Sequence, residues 1–133
     1  MIGFVTLGSH DKQRAAGFYD TVLGERGAKR LPVDHDRLLF WEAGDNMLCV
    51  GDPQNGDPAT VGNGVMVALR AASRGQVDKL HAMALELGAS DEGAPGERGS
   101  DFYGAYFRDL DGNKLVFSAA KPAEPHAGAI TIF

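Results

Sequence analysis

The sequence predicts an α+β fold built from two β-α-β-β-β modules, and three observations support this prediction. The same order of strand and helix patterns occurs twice, once on each side of a polar segment at residues 52–63 that is rich in proline and glycine. Glycine makes up 18 of the 133 residues, about twice the usual share, which indicates many tight turns and hence short strands. The length fits one domain, because domains average roughly 150 residues.

The first half, residues 1–51, supplies the elements of module one. Its opening residues 2–8 are apolar and partly β-branched, which predicts a strand. Asp11 is a candidate N-cap, because apolar side chains recur at helical spacing after it and Gly24 and Gly27 can end the helix. Three strands are predicted after that helix, at residues 28–33, 37–43 and 46–51.

After the linker at residues 52–63 the series restarts and predicts module two, residues 64–118. Ser73 is a candidate N-cap for a helix that Gly88 ends. The predicted elements around this helix are a strand at 64–69, a glycine-rich loop at 93–100, and strands at 103–107 and 114–118 around the turn 109–113. Residues 119–133 form a C-terminal tail that is expected to add an edge strand or to dock on a partner subunit.

Charge and composition exclude several classes of function. The net charge is −5 and no lysine or arginine cluster occurs, so the sequence lacks the electrostatic footprint of nucleic-acid or anionic-membrane binding. No apolar run approaches the roughly 18 residues of a membrane span. The single cysteine, Cys49, excludes an intramolecular disulfide, and the first residues lack a signal-peptide pattern. We therefore expect a cytoplasmic protein.

Four short segments accompany the repeated order of elements: Phe18-Tyr19-Asp20-x-x-Leu23-Gly24, Val77-Asp78-x-Leu80-His81, Gly93-x-Pro95-Gly96-x-Arg98 and Asp109-x-Asp111-Gly112-Asn113. Together they resemble the vicinal oxygen chelate superfamily, which includes glyoxalase I, bleomycin-binding proteins and extradiol dioxygenases. The resemblance covers residues 2–118, and the second half is similar to the bacterial glyoxalase-like branch. It implies curved mixed sheets around one cavity and a homodimer, because family members usually pair modules within or between chains.

In the members that use a metal, the resemblance implies four inward-facing strand positions that hold a divalent ion, mostly through His and Glu. The corresponding residues here are Phe4, Cys49, Met66 and Val116. Hard divalent ions need oxygen or imidazole ligands, whereas Phe and Val offer no lone pair. The two sulfur atoms suit only a soft ion such as Cu(I), and they make an incomplete shell. The sequence therefore predicts no metal and no cofactor, with all four side chains in the floor of an apolar pocket.

Four further side chains are candidates for contacts with a ligand. Arg98, in the glycine-rich loop, carries a guanidinium fork that suits a carboxylate, although a solvated surface arginine is the equal alternative. Tyr103 and Tyr106 have opposite strand parity, so only one of them is expected to face a cavity. Arg37 is a second, weaker candidate for an anion contact.

Other polar residues are interpreted as structural, and no catalytic residue is assigned. His81 lies among apolar neighbours of the second helix and is expected to pack there. Asp109 and Asp111 are two residues apart in a turn, where Asp side chains accept backbone N–H bonds. Cys49 has apolar neighbours and no adjacent cation, so a buried, inert thiol is favoured over a nucleophile.

The leading hypothesis is a glyoxalase-like protein that lacks the usual metal ligands and binds a small organic molecule in an apolar cavity. Phe4, Cys49, Met66 and Val116 would line that cavity, and Arg98 or a tyrosine hydroxyl would hold a polar end of the ligand. One alternative is an enzyme, either a lyase or isomerase similar to lactoylglutathione lyase or a dioxygenase relative, with non-standard catalytic residues. Another is a dimeric interaction module that binds no ligand.

Overall fold

The computed structural model of the protein describes residues 1–120 as two compact units, each with one helix and a four-stranded mixed sheet. This architecture confirms the predicted α+β fold and its repeated β-α-β-β-β order. The elements of the first unit are β1 (Phe4–Gly8), α1 (Lys12–Glu25), β2 (Lys29–Leu31), β3 (Leu38–Ala43) and β4 (Asn46–Gly51). Those of the second are β5 (Val67–Arg70), α2 (Arg74–Glu86), β6 (Ser90–Glu97), β7 (Phe102–Arg108) and β8 (Lys114–Ala120).

The first unit comprises residues 1–65 together with the turn Leu110–Asn113. Its strands lie in the order β1-β4-β3-β2, with β1 parallel to β4 and the other pairs antiparallel. Asp11 caps α1 as predicted, because its carboxylate accepts a hydrogen bond from the backbone N–H of Arg14. One side of α1 is buried, and Tyr19 packs on Trp41 with the ring centroids 5.5 Å apart.

The second unit repeats this topology in the order β5-β8-β7-β6, with β5 parallel to β8. Ser73 caps α2 as predicted, through a hydrogen bond from the N–H of Gln76. Phe107 and Phe117 stack at 4.7 Å between their centroids and are almost completely buried. Gly88 follows α2 with φ of +105°, a left-handed conformation that ends the helix as predicted.

Two local predictions in the second half are wrong. Most of the glycine-rich segment 93–100 is not a loop, since β6 runs to Glu97 and pairs with β7 across two register shifts. Pairing with β7 overrides the low strand propensity of these glycines. The strand predicted at 64–69 begins at Val67 instead, because Gly64 turns the chain with φ of +92°. Met66 consequently precedes the strand.

At the C-terminal end, β8 extends two residues beyond its predicted limit, so Ala119 and Ala120 belong to the sheet and not to a tail. The rest of the predicted tail, residues 121–133, lies outside the described residues. Within residues 1–120, no helix is both long and apolar enough to cross a membrane.

Candidate functional site

The first unit contains a cavity of about 490 Å³ that only residues of that unit line. It lies at the carboxyl ends of β1 and β4, which meet at one edge of the sheet because the two strands are parallel. Its wall is formed by residues 6–8, Arg37, and residues 51–55 and 57–60. The segment that the sequence indicated as a linker thus forms much of the wall.

Two glycines allow neighbouring backbone segments to lie close to each other around this cavity. A Cβ atom on Gly8 would lie 2.7 Å from the Cβ of Ala59, so the absence of a side chain on Gly8 lets the 52–60 segment pack against β1. A Cβ atom on Gly51 would lie 2.9 Å from the Cα of Leu38 and would also meet the carbonyl oxygen of Arg37. The cavity therefore depends on glycine at the end of both parallel strands.

The cavity wall carries charges of both signs. Asp52 is neutralised by Lys12, whose Nζ lies 2.6 Å from its carboxylate, and Lys12 also donates to the carbonyl of Asp36. Arg37 donates from Nη1 to the backbone carbonyl of Asp52 at 3.0 Å, and Asp57 donates its N–H to Asn55. Among the described residues, neither Arg37 nor Asp57 belongs to an ion pair. The site can thus satisfy hydrogen-bond donors and acceptors of a ligand.

The two positions of the first unit that the resemblance relates to metal ligands differ in their surroundings. Phe4 begins β1 with 57% of its surface exposed, whereas Cys49 in β4 is fully buried beside Thr6. Burial raises the pKa of the Cys49 thiol above its ordinary value, and a hydrogen bond with Thr6 only partly opposes this shift. Cys49 therefore stays protonated at neutral pH in the folded chain, which disfavours a role as a nucleophile.

The two corresponding positions of the second unit also lack donors for a hard ion. Met66 precedes β5 with 40% of its surface exposed, and Val116 is fully buried in β8. Within residues 1–120, no three His, Cys, Asp or Glu side chains are grouped to hold a metal ion. The donor set of this chain does not fit the divalent ion that metal-using relatives hold at these positions.

Arg98 and the two tyrosines of β7 lie in the second unit, with the tyrosines on opposite faces of its sheet. The hydroxyl of Tyr103 donates to Asp78 of α2 at 2.6 Å, and Arg74 stacks on its ring at 5.0 Å. The Asp78 carboxylate raises the pKa of Tyr103, because it accepts a hydrogen bond only from the neutral phenol. Tyr106 points away from α2, and the guanidinium of Arg98 lies 5.6 Å from its ring centroid.

The remaining polar candidates are held in structural contacts. His81 is 4% exposed, and its Nε2 lies 3.2 Å from both the carbonyl oxygen of Tyr106 and the carboxylate of Asp91. The carboxylate of Asp111 accepts a hydrogen bond at 2.8 Å from the N–H of His10, which is distant in sequence, and pairs with Arg14 at 3.4 Å. Asp109 is 5% exposed.

Of the residues predicted to contact a ligand, only the weaker candidate Arg37 lines the 490 Å³ cavity, and the seven main candidates do not. One of those seven, Phe4, lies on the same face of β1 as the wall residue Thr6. The cavity residues were missed because the proline and glycine content of 52–63 is also typical of a linker. Among the cavity residues, the sequence indicated only Arg37, as a weak candidate for an anion contact. Nothing in the sequence indicated Lys114 of the second unit as a ligand contact. Its Nζ lies 5.8 Å from the ring centroid of Tyr106.

The repeated module, with its first strand parallel to its last and an open sheet in each unit, defines a protein of the vicinal oxygen chelate fold. The chain belongs to the Glyoxalase/Bleomycin resistance protein/Dioxygenase superfamily, because the model of this family matches residues 1–117. No curated protein shows significant sequence similarity to the chain.

Solved structures agree with this assignment. The chain is similar to a glyoxalase/bleomycin resistance protein from Albidiferax ferrireducens T118, with 34% identity, a TM-score of 0.84, and coverage of 92% of this chain and 99% of the other. A lactoylglutathione lyase from Agrobacterium tumefaciens, at 24% identity, gives a TM-score of 0.68 over 90% of this chain and 92% of its own. At that identity, the second similarity shows the fold alone.

Proposed function

We propose that this protein binds a small organic molecule in the cavity of its first unit, without using a metal ion. The observation that carries the proposal is the volume of the cavity, about 490 Å³, which lies within the range of typical small-molecule sites. The metal-independent part of the proposal is supported by the lack of oxygen and imidazole donor atoms in four side chains, those of Phe4, Cys49, Met66 and Val116.

The cavity wall suggests a more polar ligand than the apolar molecule that the sequence predicted. Arg37 and Asp57 supply opposite charges, and Gln54 and Asn55 supply amide groups, next to the apolar rings of Pro53 and Pro58. We expect a compact carbon skeleton that carries hydrogen-bonding groups. The exposed ring of Phe4 is positioned two residues before Thr6 in β1, and we propose that it extends the contact surface.

Two broader expectations accompany this function. We propose a homodimer, because large apolar side chains such as Phe4, Val65 and Met66 are exposed on the chain. We also propose a cytoplasmic location, since the only cysteine is a free, buried thiol. Light scattering during size-exclusion chromatography tests the first expectation, and a monomer at micromolar concentration would contradict it.

The binding function is tested by filling the cavity. Gln54 is an exposed residue of the cavity wall, whereas Gln13 is an exposed residue of α1 outside the wall. A library of small polar fragments is screened by ligand-observed NMR against the native protein in the presence of EDTA. Fragments that bind with a Kd of about 1 mM or lower are then measured with the Gln54→Trp and Gln13→Trp variants.

We expect Gln54→Trp to weaken these fragments by about tenfold or more, because the indole occupies the volume that they need, and Gln13→Trp to leave binding unchanged. The proposal is overturned if no fragment binds, if both variants behave alike, or if binding appears only after a divalent metal is added. Chemical turnover of a bound fragment in EDTA would instead indicate the enzymatic alternative.

A further inference from the structure

The second unit places two cations against one aromatic ring. Tyr106 lies near the middle of β7, and the Cζ of Arg98 lies 5.6 Å from the centroid of its ring. The Nζ of Lys114, at the start of β8, lies 5.8 Å from the same centroid. All three side chains are partly buried. Each contact is within the range of a cation–π interaction, yet the two like charges repel each other.

The acidic residues of β6 do not neutralise these cations. Glu92 is paired with Arg108 at 2.7 Å, and Glu97 is paired with Arg74 at 2.6 Å. Asp91 accepts a hydrogen bond from the N–H of Gly93 and lies beside His81. In the part of the chain that the structure describes, no ion pair includes Arg98 or Lys114. The two positive charges therefore lack a counterion within residues 1–120.

The glycines of β6 leave room for the guanidinium of Arg98 to lie close to this strand. A Cβ atom on Gly93 would lie 3.3 Å from Nη2 of Arg98 and 3.2 Å from the ring of Tyr106, and one on Gly96 would lie 2.7 Å from Nη1. Nη2 donates to the carbonyl of Ala94 at 2.7 Å. Nη1 also donates to the carbonyl of Glu97 at 3.5 Å. These two bonds orient the guanidinium and use two of its five N–H groups, so three donors remain for a ligand.

We propose that Arg98, Lys114 and the ring of Tyr106 form a binding site for a small organic carboxylate. The guanidinium matches the two oxygens of a carboxylate, the ammonium of Lys114 adds a second charge, and the tyrosine ring contacts the carbon body of the ligand. The bound anion supplies the counterion that both cations lack. This site consists of residues of the second unit alone, and it stands whether or not the cavity of the first unit binds a ligand.

Benzoate is the probe, and benzamide, which has the same shape without the charge, is its control. We expect benzoate to bind the full chain at low ionic strength with a Kd of about 1 mM or lower, measured by NMR titration, and benzamide to bind at least about tenfold more weakly. Inorganic phosphate should compete much less well than benzoate, because it has no carbon body. Equal binding of benzoate and benzamide, or equal competition by phosphate, overturns the proposal.

Three charge-removing variants locate the site. Arg98→Gln and Lys114→Gln should each weaken benzoate by about tenfold or more, as expected for the loss of a charge-assisted hydrogen bond. Lys79→Gln removes an exposed charge from α2 and should change the Kd by less than about twofold. Lys114→Arg keeps the charge and should restore most of the binding. A similar loss in all three Gln variants, with circular dichroism showing that they fold, would mean non-specific attraction and would overturn the site.

Discussion

Individual residues determine whether metal chemistry fits this chain. Phe4 and Val116 have no donor atoms, so the residue types alone argue against a hard divalent ion at these positions. The case of Cys49 depends on its surroundings, because a thiol becomes a ligand or a nucleophile only as the thiolate. Complete burial raises its pKa, which keeps the thiol neutral and turns the residue into a part of the core.

The raised pKa of Cys49 predicts a loss of stability in alkaline solution. The folded state retains the thiol proton more strongly than the unfolded chain, so the contribution of Cys49 is fully present below the ordinary pKa of 9.0. It declines as the pH rises from there toward the raised folded value. Urea unfolding of the native protein and Cys49→Ala at about pH 8 and about pH 9.5 measures this effect.

We expect the free energy of unfolding to fall more between these two pH values for the native protein than for Cys49→Ala. The pKa of Tyr103 is also raised, so its ionisation shifts stability in the same direction at higher pH. Tyr103→Phe serves as the control, because it removes this second contribution and keeps that of Cys49. A pH dependence that is identical in the native protein and Cys49→Ala would contradict the assignment.

At the scale of the elements, capping residues and glycines determine where helices and strands end. Asp11 and Ser73 are recognisable in the sequence, because an N-cap acts on a backbone N–H only three residues away. Strand ends depend on contacts between residues that are farther apart in the sequence. Gly51 ends β4 where the backbone of residues 37–38 passes over it, and nothing near Gly51 in sequence indicates that approach.

Gly51→Ala should therefore destabilise the first unit. The added methyl group would meet the carbonyl oxygen of Arg37 and lie 2.9 Å from the Cα of Leu38, and neither backbone atom can move without disturbing β3. We expect a loss of about 1–3 kcal/mol in the free energy of unfolding, measured in urea. Gly3→Ala is the matched control, since no atom lies within 4 Å of its added methyl group. Equal stabilities of the two variants would contradict this explanation.

At the scale of the whole molecule, the compact units do not follow the order of the chain. The turn Leu110–Asn113 connects β7 with β8, yet it belongs to the first unit. Asn113 is 8% exposed, and its side-chain amide donates to the carbonyl of Gly8 at 2.9 Å. Asp111 accepts a hydrogen bond from the N–H of His10. The predicted linker likewise supplies the wall of a cavity, so the compact units do not coincide with the two halves of the sequence.

Asn113→Ala should reduce the stability of the whole chain, because it removes a buried hydrogen bond that joins residues 105 positions apart. We expect a loss of about 1–3 kcal/mol in the free energy of unfolding. Asn63→Ala, at an exposed turn position, is the matched control and should change stability by less than about 0.5 kcal/mol. If thermal and urea unfolding show the same stability for both variants, Asn113 does not hold this turn in place.

The sequence by itself determined the repeated β-α-β-β-β order and both helix caps, and it shows that Phe4, Cys49, Met66 and Val116 offer no oxygen or imidazole ligand for a hard ion. These features follow from periodicity, from contacts within a few residues and from side-chain chemistry, all of which are local. Sequence could not locate the strand in the glycine-rich segment 93–97, because pairing with β7 overrides propensity there.

Only the tertiary structure brought together the residues of the cavity wall and of the cationic cluster. Around the cavity, Gly8 lies against Ala59 and Arg37 donates to the carbonyl of Asp52. In the cationic cluster, Arg98 and Lys114 each lie within 6 Å of the centroid of the Tyr106 ring. Arg37 and Lys114 belong to segments whose local patterns do not specify these neighbours. Contacts between distant segments depend on how the strands pair and where the backbone turns, so both groups of residues come together only in the folded chain.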